Sequence, residues 1–165
     1  PLDETVVFSC LVNAGAAQKV EEQIQLTVSQ GARCIYGGKR TADTIVEPTV
    51  LTDVTPDMDI ARDMEVFGPV FPIIGFDTFD EAMAIANNTS YGLSSGVMTE
   101  NIVTAMKAAR AIQAGTCVIN GTGDYRTSYH GFGGYKMSGV GREGALHTLE
   151  EFSEIKTVVL RSVLS

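Results

Sequence analysis

Short apolar and β-branched runs alternate along this chain with stretches whose apolar residues recur every three to four positions, and that alternation limits the fold more than any other feature. Ala16, Val20, Ile24 and Val28 at four-residue spacing predict an amphipathic helix over residues 14–30, stopped by Gly31 at its C′ position. A strand follows at 34–36. After a turn at Gly37 and Gly38 and a polar connection, the pattern predicts a strand over 48–54 and a short helix over 57–64. Residues 69–76 are almost wholly apolar, as in a strand covered on both faces. Thr78 and Glu81 form a capping box that opens a helix through Ile85. A strand over 93–98, a helix marked by Ile102, Ala105, Ala109 and Ile112 and stopped at Gly115, and a strand over 116–120 come next. A helix over 143–152 and a β-branched strand over 156–160 close the chain.

This order predicts the α/β class, with a mainly parallel open sheet and flanking helices, because parallel neighbours must be joined by crossovers. Ligands of such sheets gather at the carboxyl ends of the strands, where the loop after Asn120 emerges. The terminal strand is expected to pair outside the main sheet, free to reach a neighbouring subunit. Residues 1–154 are therefore read as one α/β domain and residues 155–165 as a separate strand segment.

At 165 residues the chain fits one domain, long enough to bury most of its apolar surface without staples. Cys10, Cys34 and Cys117 are odd in number, widely spaced and accompanied only by His130 and His147. That argues against a metal site and for a reducing, cytoplasmic setting. A net charge of -8 without a Lys/Arg cluster repels nucleic acid. No apolar run approaches the roughly 20 residues needed to span a bilayer, and no signal-peptide pattern is present. The chain starts at Pro1 and opens directly into Val6-Val7-Phe8, as a piece of a longer polypeptide or a trimmed N-terminus would.

Six glycines crowd the fourteen residues GFGGYKMSGVGREG at 131–144. Interleaved with Phe132, Tyr135 and Met137, they imply a shaped loop in close approach to a ligand or a second element. Within it, GVGREG at 139–144 matches GxGxxG, yet no buried strand precedes it, so the expected structure is a glycine-rich turn into a helix rather than a dinucleotide fingerprint. Glu65 and Phe67 stand two residues apart just before the most apolar run. Read from the residues alone they are a solvated carboxylate and a core ring, although a carboxylate there could accept hydrogen bonds from a ribose diol. Cys34 and Cys117 fall inside apolar strands, where a free thiol packs as a small hydrophobe. His130 borders the glycine loop without a visible partner, and Lys136 lacks the Gly-Lys-Ser/Thr setting of a phosphate loop.

Taken together, EVFGPV at 65–70, NNTSYGLSSGVMT at 87–99, GTCVIN at 115–120 and FGGYKMSGVGREG at 132–144 resemble, in order and separation, the carboxyl-terminal part of the NAD(P)-dependent aldehyde dehydrogenases. AAQKVEEQI, YGGKR and EPTVLTDVTPDM extend the resemblance over nearly the whole chain. It implies an oxidoreductase in which a cysteine thiolate attacks an aldehyde, hydride passes to the nicotinamide of NAD or NADP, and a glutamate-activated water releases the acid. It implies that Glu65 holds the nicotinamide ribose, Phe67 lies beside it and Leu93 touches the nicotinamide. Phe132 resembles the aromatic of the aldehyde channel and Glu143 a carboxylate assigned to a proton path. The terminal strand resembles the family's oligomerisation strand, so a homo-oligomer is implied.

The chain departs from the family where Gly131 replaces the usual proline before FGG, which implies a looser approach to the channel. The nucleophile's Gly-Gln-x-Cys segment lies, in the family, farther upstream than the 64 residues that precede Glu65, and none of the three cysteines has that context. The resemblance thus implies a catalytic-domain fragment without its nucleophile or base, inactive alone. The alternative is a non-catalytic assembly module derived from the same family.

Overall fold

The computed structural model describes residues 5–161, which divide between Ser90 and Tyr91 into two compact units. In the first, helix α1 (Ala14–Ser29) is opened by Asn13, whose Oδ1 accepts the Ala16 amide proton at 2.8 Å. It ends at Gly31, whose φ of +117° is the left-handed region that glycine tolerates. The buried face is Ala17, Val20, Ile24 and Thr27 rather than Ala16, Val20, Ile24 and Val28. A four-residue step overshoots a helical turn by about 40°, so three such steps leave the face, whereas alternating steps of three and four stay on it. The Thr27 hydroxyl is reconciled with burial by donating to the Gln23 carbonyl at 2.8 Å.

Against α1 lie β1 (Arg33–Tyr36), a hairpin of β2 (Arg40–Ala42) and β3 (Ile45–Val46), and β4 (Thr49–Thr52), followed by a short 3-10 turn at Asp59–Ala61 and β5 (Val70–Pro72). Ala17, Val20, Ile24, Ala32, Val46, Leu51, Val54 and Met58 form the core. Helix α2 (Phe79–Ala86) starts where the capping box placed it: the Glu81 amide donates to Thr78 Oγ1 at 3.2 Å. The return bond differs, because Glu81 Oε2 accepts from the Asp77 amide at 2.8 Å and not from Thr78.

The second unit holds β6 (Tyr91–Gly92), β7 (Ser94–Val97), α3 (Ile102–Ala111), β8 (Thr116–Ile119), β9 (Tyr135–Lys136) and α4 (Ala145–Glu151). Strands β7 and β8 pair in parallel, Ser94 to Thr116 through Val97 to Ile119, and α3 makes the crossover that a parallel pair requires. Asn101 caps α3 by accepting from the amides of Val103 and Thr104 at 2.9 and 3.1 Å.

The α/β class with flanking helices holds, but the single mainly parallel sheet does not. Among the described residues there are four small sheets, β1-β4-β5, β2-β3, β6-β9 and β7-β8, with parallel pairing only in β4-β5 and β7-β8. The long apolar strand expected at 69–76 pairs over Val70–Pro72 alone, with Phe71, Ile73 and Phe76 exposed. The Ile73 amide still donates to the Leu51 carbonyl of β4 at 2.8 Å, whereas Pro72 has no amide proton to offer a further strand on the opposite edge. Residues 156–160 form no strand and are exposed, since a strand needs a ladder partner and none lies beside them among the described residues. The remainder of the segment read as 155–165, from 162 onward, lies outside the described residues. Among the described residues no helix is long and apolar enough to cross a membrane.

Candidate functional site

In the first unit, the stretch carrying Glu65 and Phe67 is tied to α1. Gln23 Nε2 donates to the Glu65 carbonyl at 3.0 Å, and a Cβ on Gly68 would lie 2.8 Å from Val20 Cγ1, so only glycine lets this turn settle on the helix. With the backbone so anchored, both side chains face outward. Phe67 is 72% exposed, which removes the core-ring reading, and among the described residues nothing hydrogen-bonds or ion-pairs with the Glu65 carboxylate. The segment that leads to Leu93 is pinned as well: Asp63 Oδ1 accepts from Thr89 Oγ1 at 2.8 Å and from the Ser90 amide at 2.7 Å.

The second unit brings together Leu93, Phe132 and Glu143, which line one cleft of about 320 Å³ with Arg142, Thr148 and Phe152. Phe132 and Glu143 are joined directly: each amide donates to the other's carbonyl, at 2.8 and 2.6 Å. That bridge closes the neck of the glycine-rich loop. Inside the loop Gly139, Gly141 and Gly144 have positive φ, and the strand before them, β9, is a two-residue exposed antiparallel piece. The turn-into-helix reading of GxGxxG therefore stands. Arg142 braces the loop from within, its Nη1 donating to the carbonyls of Gly134 at 3.2 Å and Gly141 at 2.6 Å.

Gly131, where the resemblance implied a looser approach to Phe132, lies against α4. A Cβ there would lie 2.7 Å from the His147 imidazole Cδ2, so the glycine lets α4 pack its histidine directly on the chain. His130 sits beside the Tyr125 ring, centroids 6.4 Å apart, and Lys136 is an exposed residue of β9 with φ of +54°. The cysteines are unpaired: Cys10 is exposed, Cys34 Sγ donates to the Tyr36 carbonyl at 3.3 Å, and Cys117 lies half-buried in β8. Among the described residues no three His, Cys, Asp or Glu side chains gather as a metal site would require.

The residue that the sequence did not single out is Arg126. Its guanidinium carbon stands 4.1 Å from the centroid of the Phe132 ring, and its Nη2 is 2.8 Å from Glu143 Oε2. No periodicity or motif marks an arginine in the irregular stretch before His130. Its one sequence signal is position, a lone cation between an acidic residue and the aromatic of the glycine loop.

The chain is similar to known proteins over nearly its whole length. The chain is 41% identical over 162 residues to the lactaldehyde dehydrogenase of Methanococcus aeolicus, covering 98% of this chain and 34% of that protein. Its fold matches the glyceraldehyde-3-phosphate dehydrogenase of Methanocaldococcus jannaschii complexed with NADP at a TM-score of 0.90 and 37% identity, over 96% of this chain and 34% of that one. The NAD-dependent aldehyde dehydrogenase of Sinorhizobium meliloti matches at 0.90 and 40% identity, over 96% and 32%. The chain thus spans about a third of the length of the relatives it matches. The sequence model of the aldehyde dehydrogenase family matches residues 1–158, taking in EVFGPV, the residues of the cleft and the glycine-rich loop together, and the chain belongs to that family.

Proposed function

We propose that this chain is the carboxyl-terminal part of an enzyme that oxidises an aldehyde to a carboxylic acid with NAD or NADP, supplying cofactor-ribose contacts and one wall of the aldehyde channel. The observation that carries this reading is the convergence on one cleft of Leu93, from one motif, with Phe132 and Glu143, from opposite ends of another. In the other unit the unengaged Glu65 carboxylate and the exposed Phe67 ring fit a nicotinamide ribose, since an ionised carboxylate accepts from both hydroxyls of a diol and a bare ring offers an apolar face. Bound there, NAD(P) supplies the hydride acceptor. The chain's own residues do the rest of what this part contributes. Phe132 walls the channel and excludes water, Leu93 gives the nicotinamide an apolar contact, and Glu143 holds a carboxylate at the rim for proton transfer.

None of Cys10, Cys34 and Cys117 lies in a Gly-Gln-x-Cys segment, and on this reading the nucleophile and the general base belong to another part of the polypeptide and the isolated chain is inactive. Residues 1–154 act as part of a catalytic domain and residues 155–165 as an oligomerisation strand, whose exposed, unpaired course over 156–160 suits pairing with a second copy. In the longer polypeptide, Glu65→Gln is expected to raise the cofactor KM about tenfold or more, the effect of losing a charged hydrogen-bond acceptor, with the aldehyde KM unmoved. Phe132→Ala is expected to do the reverse. Steady-state kinetics that show Glu65→Gln with an unchanged cofactor KM would remove the ribose assignment.

A further inference from the structure

We infer that Arg126 is a positioning residue that holds the Phe132 ring and the Glu143 carboxylate in one arrangement at the wall of the cleft. This rests on the reading of that cleft as the aldehyde channel. The reciprocal amide–carbonyl bonds between Phe132 and Glu143 fix where the two backbones run, but they leave the rotamers of both side chains free. Arg126 removes that freedom from both at once. Its guanidinium carbon lies over the ring, 4.1 Å from the Phe132 centroid, while Nη2 reaches Glu143 Oε2 at 2.8 Å, so ring, cation, carboxylate and backbone bridge close a circuit at the loop's neck.

Arginine is suited to this double duty. A planar guanidinium stacks on a ring and still presents in-plane N–H groups to a carboxylate, whereas an ammonium has neither the plane nor the fork. The Arg126 and Glu143 side chains are 50% and 72% exposed, so solvent weakens their attraction and the contact adds little to overall stability. Its effect lies in orientation, where a ring that swings freely no longer offers a formed wall and the aldehyde must order it on binding.

The test uses Arg126→Ala and Arg126→Lys in the longest polypeptide that carries these residues, with steady-state kinetics, thermal melting and amide hydrogen exchange. Arg126→Ala is expected to raise the aldehyde KM roughly three- to tenfold, with the cofactor KM unmoved. The melting midpoint should shift by less than about 2 °C. Amide exchange at Phe132 and Glu143 should accelerate. Arg126→Lys keeps the charge but not the plane and should recover the aldehyde KM only in part. On a Phe132→Ala background, Arg126→Ala should have no further effect on the aldehyde KM. An unchanged aldehyde KM, aldehyde and cofactor KM rising together, or full additivity with Phe132→Ala overturns the inference. Hydrogen exchange separates it from the functional reading: faster exchange at the two amides in a protein that oxidises no aldehyde keeps the clamp and removes the function. An active protein whose exchange and kinetics ignore Arg126→Ala does the opposite.

Discussion

The two units are held together by different means. Up to Ser90 the chain has a core of its own, in which Leu51, Val20 and Ile24 are buried together with Val46, Val54 and Met58. From Tyr91 onward the buried apolar side chains among the described residues are Ala105 and Ala108, while Leu146, Leu149, Phe152, Val158 and Leu160 are exposed. The second unit relies instead on the four-residue β7-β8 ladder and on backbone segments that touch through glycines, as where Gly115 lies against the Gly133 carbonyl. A unit built on side-chain packing fails when volume is removed, and one built on backbone contact fails when volume is added. It is the second kind that carries the cleft.

That contrast can be broken experimentally. The largest effect is expected from Leu51→Ala, which should destabilise the first unit by about 3 kcal/mol through lost burial and a residual cavity, read by urea unfolding. Gly115→Ala should cost roughly 1–3 kcal/mol in the second unit, because its Cβ would overlap the Gly133 carbonyl oxygen and one backbone must yield. Hydrogen exchange should then accelerate in β8 and around the cleft while α1 keeps its protection. If Gly115→Ala left both unchanged, the view of the second unit as a backbone-contact structure would be wrong. Ile155→Ser, at a fully exposed side chain, should stay within about 0.5 kcal/mol of the parent in urea unfolding.

The smallest effect is electrostatic and belongs to the first unit's surface. Asp57 accepts from Thr55 Oγ1 at 2.6 Å, and that hydrogen bond, with its own backbone amide, holds the carboxyl below its usual range. A lowered folded-state pKa stabilises above the ordinary carboxylate range and ceases to as pH falls through the lowered value. Thr55→Val should therefore move the Asp57 titration, followed by carboxyl carbon chemical shift, back up toward the ordinary value and flatten this part of the acid response. A titration that stays where it was would show that the hydroxyl is not the cause.

Local signals were the legible ones. Gly31, the Thr78 cap and the alternation of β7, α3 and β8 each depend on a few neighbouring residues, and each stands where the sequence put it. The division into small sheets depends on which strands find partners, a long-range matter that apolar runs do not encode; hence Pro69 to Phe76 looked like a doubly covered strand and is largely exposed. The hairpin of Arg40–Ala42 with Ile45–Val46 escaped notice because two- and three-residue strands are too short for a period to register. Glu65 and Phe67 in the first unit, and Leu93, Phe132 and Glu143 in the second, were singled out through motif resemblance, not periodicity. Arg126 belonged to no motif, and only the fold places it on the Phe132 ring.

As proposed above, this chain carries part of an aldehyde dehydrogenase site and needs the rest of its polypeptide for chemistry. Aldehyde-dependent NAD(P)H formation, measured for the purified 165-residue chain and for the longest polypeptide that contains it, tests this directly. Turnover is expected from the longer polypeptide and a rate lower by several orders of magnitude, at or near background, from the chain alone, because binding contacts do not replace a missing nucleophile. Turnover by the isolated chain at the rate of the longer one would contradict it.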